Sequence, residues 1–163
     1  MEFGKINQEL FQEEGFGFEK VTFEDSLLNE VGYAHSLLLD QSFYDEFNKL
    51  SYGEKQEIFL GIIGLTEPEL DFIENNVNLN YRLITVINLT PSFKYKGIGE
   101  FVLEALENLY KSSQIILYPY PILSGFNAFD IQYARKVQEK IRNKYMTYGY
   151  ITLENGLMIK RRS

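Results

Sequence analysis

The chain is predicted to fold as an α/β (α+β) protein, a mixed sheet flanked by helices. Two observations carry this. Residues 81–163 alternate apolar strands with amphipathic helices and finish in a hairpin, while residues 18–39 hold two further strand-like runs. No internal repeat, low-complexity tract or Pro/Ser linker interrupts the sequence, so its 163 residues are expected to form a single domain, 1–163.

Residues 6–14 are expected to form a short first helix with Ile6, Leu10 and Phe11 on one side, broken by Gly15 and Gly17. Phe18 to Phe23 alternates in the manner of a strand. A turn around Asp25–Asn29 leads to a second apolar strand, Val31–Leu39. Ser42–Leu50 reads as helix. Ser51-x-x-Glu54 and Thr66-x-x-Glu69 are capping boxes that open two more helices, the second with Pro68 in its first turn.

Tyr81–Leu89 is apolar on both faces, as a central strand covered on both sides must be. Pro91 ends it. From about Gly99 to Lys111 the apolar positions Ile98, Phe101, Val102, Ala105, Leu106 and Leu109 make one helical stripe. Gln114–Tyr118 is the next buried strand, and residues 122–127 are loop. A long helix is expected from Asp130 to Met146, with Ala134, Val137, Ile141 and Tyr145 on one stripe. Ile151–Leu153, the turn Asn155-Gly156 and Leu157–Lys160 form a terminal hairpin. The strand–helix–strand piece should be a right-handed parallel crossover, and the hairpin adds antiparallel strands beside it.

Composition narrows the chemistry. Without cysteine there are no disulfides and no thiolate metal sites, and no metal site is expected. No apolar run approaches the ~20 residues of a membrane helix, and the N-terminus lacks a basic start followed by an apolar block. The expectation is a cytoplasmic protein with no membrane partner. Residues 1–80 carry a net charge of −13 and residues 81–163 a net charge of +6. Such asymmetry suits an anionic ligand on one half and a cationic one on the other, although two merely solvated faces would look the same. Nucleic acid, which needs a basic footprint, is not expected as a partner.

The segment between the Tyr81 strand and the following helix reads Leu89-Thr90-Pro91-Ser92-Phe93-Lys94-Tyr95-Lys96-Gly97-Ile98-Gly99. A helix N-terminus offers unpaired N–H groups and partial positive charge, which suit phosphate. Gly97 and Gly99 let a pyrophosphate approach the backbone, and Lys94 and Lys96 add charge. A tight turn with convenient glycines is the plainer reading of Gly-x-Gly alone. Two lysines, the upstream proline and the helix weigh against it. A Walker A loop is missing, and a dinucleotide fingerprint would need glycine where Val102 stands.

What remains, Lys94-Tyr95-Lys96-Gly97-Ile98-Gly99, resembles the acetyl-CoA loop of the GNAT superfamily of N-acetyltransferases. Its members commonly read Pro-x-[Tyr/Phe]-Arg-Gly-x-Gly-[Ile/Leu]-Gly here. This chain departs at Lys94 and Tyr95. The second match is Tyr145-Met146-Thr147-Tyr148-Gly149-Tyr150, similar to the family's Tyr-x-x-x-Gly-Phe at the end of its last long helix. Gln138 stands seven residues before Tyr145, where the family often has a CoA-contacting Asn. Together the matches cover about residues 81–163.

The resemblance implies a mostly antiparallel twisted sheet whose central parallel strands splay for CoA. Residues 1–80 would shape the acceptor side and residues 81–163 would bind acetyl-CoA, the co-substrate. Backbone groups at Ile87, Asn88 and Leu89 would hold pantetheine and polarise the thioester. Those of Lys94, Tyr95, Lys96, Gly97, Ile98 and Gly99 would bind the pyrophosphate. Tyr145 would be the general acid for the CoA thiolate, with Tyr148 as second candidate; the plain alternative is a helix-end core aromatic. The implied activity is direct transfer of acetyl to a primary amine, on a small molecule or a protein and cationic by the charge of the first half. A homodimer is compatible with it. A non-catalytic acyl-CoA-binding or interaction module on the same fold is the second reading. For the base, Glu30, Asp40 and a water chain stay open. His35, the only histidine, reads more readily as a satisfied core residue on an apolar strand.

Overall fold

The computed structural model describes residues 2–93, 97–119 and 128–160. The chain opens as an antiparallel meander of β1 (Lys5–Glu13), β2 (Phe16–Glu24) and β3 (Glu30–Leu39). The segment 6–14 is thus strand where a helix was expected. Its residues pair in unbroken register with β2, from Lys5 opposite Glu24 to Glu13 opposite Phe16. The two-residue turn Glu14-Gly15 closes the hairpin, with φ values of 50° and 83°. Positive φ at both positions is what a twist-matched hairpin turn demands, and glycine takes the second without a Cβ clash. Asp25 organises the next turn: its Oδ1 accepts from the N–H groups of Leu27 and Asn29, each at 2.9 Å.

The helical insert between β3 and the next strand lies where the sequence puts it. It comprises α1 (Gln41–Phe47), α2 (Tyr52–Lys55), a π-helical segment (Gln56–Ile62) and α3 (Glu67–Asn75). Both capping boxes form. Ser51 Oγ accepts from Glu54 N at 3.2 Å while Glu54 Oε1 accepts from Ser51 N at 3.1 Å. The Glu69 carboxylate accepts from the N–H and hydroxyl of Thr66 at 3.3 and 3.1 Å.

The second half runs β4 (Tyr81–Leu89), a 3₁₀ turn (Pro91–Phe93), α4 (Ile98–Leu109), β5 (Gln114–Leu117), α5 (Ala128–Thr147), β6 (Tyr150–Thr152) and β7 (Met158–Lys160). One open sheet joins both halves in the order β1-β2-β3-β4-β5-β7-β6. Every neighbouring pair is antiparallel except β4 and β5, which the α4 crossover makes parallel. Helix α5 starts at Ala128, two residues before the expected Asp130, and the expected 122–127 loop lies outside the described residues.

Two cores sandwich the sheet. On one face α1, the π segment and α3 cover Phe16, Phe18, Leu37 and Leu83 with Phe43, Phe47, Phe59 and Ile73. On the other α4 buries Ile98, Val102, Leu103 and Leu106 against Val21, Phe23, Ile84, Ile115 and Leu117. Burying a side chain of this size contributes about 1.5–3 kcal/mol. Ile98, Val102 and Leu106 of the expected stripe, joined by Leu103, are therefore what fasten α4 to the sheet.

Candidate functional site

The parallel pair at the centre is short. Tyr81 lies opposite Gln114, and pairing ends at Ile84 opposite Leu117. β4 continues through Thr85–Leu89, bonded along one edge to β3. Two local causes open the other edge. Tyr118-Pro119 follows β5, and proline has no N–H to extend a ladder. On β4, His35 pairs with Val86 and Ser36 with Ile84, so Thr85 is the extra residue of a bulge. A bulge bends its strand and raises the local twist.

The resulting cleft is lined by Ile84, Thr85, Val86, Ile87, Leu117, Tyr118 and Tyr145. It encloses about 50 Å³, the scale of one or two water-sized groups. Ile87 lies on its wall. Asn88 and Leu89 continue β4 beyond it, paired with Tyr33 and Gly32. Tyr145 comes from the last turn of α5, its ring half-buried with its centroid 6.2 Å from that of Tyr150. Burial, and then the neighbouring Tyr148, push its phenol up to about 12. At neutral pH it is therefore a proton donor. Tyr148 is also raised, by burial first and then by the charge of Glu100. Glu100 in the first turn of α4 therefore lies within electrostatic reach of the Tyr148 phenol at the end of α5.

Gly97 is the N-cap of α4 and has φ 73°. That left-handed geometry favours glycine, and no cap side chain competes for the first helical amides. A Cβ built at Gly99 would meet no atom of another described segment within 4 Å, so among the described residues space is open beside the helix start. Ile98 turns its side chain inward, 7% exposed. Lys94, Tyr95 and Lys96 lie outside the described residues. On α5, Arg142 lies one turn before Tyr145 and has a buried Nε without a hydrogen-bond partner. Gln138 is half-buried on the same helix.

The candidate bases sort themselves by position along β3. Asp40 caps α1, its Oδ1 accepting from Phe43 N at 2.8 Å, at the far end of the strand from the cleft. About five residues separate it from His35, roughly 17 Å of strand, and Glu30 stands five residues from His35 in the other direction. Glu30 sits at the cleft end but is exposed, and its carbonyl accepts from Thr90 Oγ1 at 2.8 Å. His35 is half-buried, its ring 5.0 Å from Phe11 and 5.1 Å from Tyr33. Thr85 and Tyr118 join the cleft although the sequence did not single them out as site residues. Pro119 signalled only Tyr118, since it marks where β5 must stop; the Thr85 bulge appears only in the β3–β4 register.

A larger cavity of about 250 Å³ lies at the opposite end of the sheet, between the β1–β2 turn and α1. Arg82 and Glu19 on its wall belong to a linking network. Arg82 Nη1 donates to Ser36 Oγ at 3.0 Å, Ser36 Oγ donates to Tyr110 at 3.3 Å, and the Tyr110 hydroxyl donates to Glu19. The guanidinium also lies 3.9 Å from the Tyr110 ring centroid. These groups tie β2, β3, β4 and α4 together. Among the described residues no group of three or more His, Asp or Glu is arranged to hold a metal ion, and no helix is long and apolar enough to cross a membrane.

Comparison of the chain with protein-family models gives no match, and comparison with curated protein sequences gives none either.

Proposed function

We propose that the chain is a GNAT-like N-acetyltransferase that moves acetyl from acetyl-CoA to a primary amine by direct attack. The observation that carries the reading is the opening between β4 and β5, with the Thr85 bulge on one wall and Tyr145 on another. Among the described strands β4 and β5 are the one parallel pair, and they part on the side where α4 begins. Pantetheine would lie in that opening as a substitute strand, taking its hydrogen bonds from the free edge of Thr85–Leu89. The first amides of α4 would bind the diphosphate. A backbone N–H at the bulge would polarise the thioester carbonyl. Departing thiolate would take its proton from Tyr145.

Gly99→Trp tests the reading. Among the described residues the added side chain meets no other segment close to its Cβ, so the fold should survive, while the indole fills the approach to the helix start. A thermal-shift titration with acetyl-CoA should show stabilisation of the wild type and none of the variant. Unchanged affinity would remove the diphosphate from α4. Stabilisation by acetyl-CoA with no thiol release over a panel of amines would favour the acyl-CoA-binding module instead.

A further inference from the structure

The register of the meander places side chains that are far apart in sequence in rows across one face of the sheet. Glu9, Lys20, His35 and Val86 form one row, each directly opposite the next. Tyr33 and Asn88 belong to the neighbouring row. Residues directly opposite in an antiparallel ladder share a face, with Cβ atoms about 4.5–5.5 Å apart. His35 is thus one strand spacing from Val86, which lines the cleft. The helices of the insert cover this face over Leu37 and Leu83. Lys20, Tyr33, His35, Val86 and Asn88 beyond them stay half-buried, an open platform that ends at the cleft.

We propose that this platform receives the acceptor and that His35 is the general base that deprotonates it. The inference rests on the acetyl-transfer reading and gives that site its missing base. A neutral ring nitrogen of His35 takes one proton from the acceptor ammonium. The freed nitrogen lone pair attacks the thioester carbonyl carbon, forming the C–N bond. The C–S bond then breaks, the thiolate takes the proton of Tyr145, and the phenolate recovers one from the nitrogen as the amide forms. His35 releases its proton to solvent.

The surroundings suit that role. The ring makes no hydrogen bond among the described residues, so the unprotonated nitrogen of the neutral ring is available to accept a proton. Burial, and then the charge of Lys20, hold its pKa below the usual 6.5, which keeps it neutral at pH 7. Lys20 from β2 and Tyr33 from β3 are the titratable groups beside it, and the Lys20 ammonium sits 4.7 Å from the Tyr33 ring centroid. Glu9 stands one strand further out, and β4 contributes only Val86 and Asn88. A platform with Phe11 and Tyr33 rings and a lysine suits an aryl-alkyl monoamine better than a polyamine.

Because His35 is the only histidine, the titration of its ring protons is read directly by NMR on the intact chain. The expected midpoint lies below 6.5, and Lys20→Met should raise it. Thiol release from acetyl-CoA is then followed against pH with tyramine and with spermidine. Tyramine should be preferred, and the acidic limb of its rate profile should follow the His35 titration in both chains. His35→Gln should lower turnover about 100-fold and leave acetyl-CoA affinity within about twofold. Wild-type turnover in that variant, or an acidic limb that ignores Lys20→Met, overturns the base while leaving the cleft reading intact. Acetyl-CoA binding without release to either amine overturns the base and the transfer together. Failure of acetyl-CoA to bind at all overturns the reading of the cleft itself.

Discussion

Tyr145 combines two properties: its side chain lines an opening, and its phenol is pushed up to about 12. Burial is the first cause and Tyr148 the second, and both penalise the phenolate. An acid so placed keeps its proton through the whole working range, so a rate limited by proton donation should not fall on the alkaline side below about pH 11. Tyr145→Phe removes the donor and keeps the ring that packs near Tyr150. The expected result is a drop in kcat of about 100-fold with little change in KM for acetyl-CoA. Steady-state kinetics at about pH 8 decide the matter: equal kcat would leave Tyr145 a packing residue.

The cap of α3 has a pH dependence of its own. Glu69 is 3% exposed, and burial lifts its carboxyl from 4.5 to about 7 against the lowering effect of its two Thr66 hydrogen bonds. The folded chain then keeps the proton up to about pH 7, whereas the unfolded chain gives it up near 4.5. Folding takes up a proton between those values, so stability falls as pH rises through them and levels off above about 7. The loss is on the order of 2–3 kcal/mol. Glu69→Gln holds a neutral acceptor for Thr66 at every pH. Urea unfolding at about pH 4.5 and pH 8 should show the two chains similar in acid and the variant more stable in base; parallel curves would mean Glu69 ionises normally. That cap was readable from sequence because a capping box is four adjacent residues. Tyr81–Leu89 was readable to its ends because a strand apolar on both faces has no other place than the middle of a sheet. β1 was not. Ile6 and Leu10 have helical spacing, yet they are 41% and 84% exposed, and what makes the segment a strand is its pairing with β2. The loop and Tyr145 were likewise local patterns. The row through Lys20, His35 and Val86 exists only once three strands are in register, and its sequence trace was polar residues at alternate positions of otherwise apolar strands.

Across the molecule, charge follows the division of labour proposed for the two halves. The +6 of residues 81–163 includes Arg135, Lys136, Lys140 and Lys144, all exposed on α5, the helix that ends at Tyr145. The −13 of residues 1–80 includes Glu9, Glu13, Glu14 and Glu24 on the meander. A cofactor with several phosphate charges gains from the first field, and a cationic amine from the second. Both gains are screened by salt, since the Debye length falls from about 10 Å at 0.1 M to about 3 Å at 1 M. The Kd for acetyl-CoA should therefore rise several-fold between about 0.05 and 0.5 M NaCl. Acetyl-pantetheine, which lacks the phosphates and on this proposal would enter the same opening, separates this field effect from a general weakening of the fold. Its affinity should stay level over the same range, because apolar contact and strand-edge hydrogen bonds are little screened. A salt-independent Kd for acetyl-CoA would mean that the basic half does not face the cofactor, and parallel losses for both ligands would place the effect on the cleft walls rather than on the phosphates.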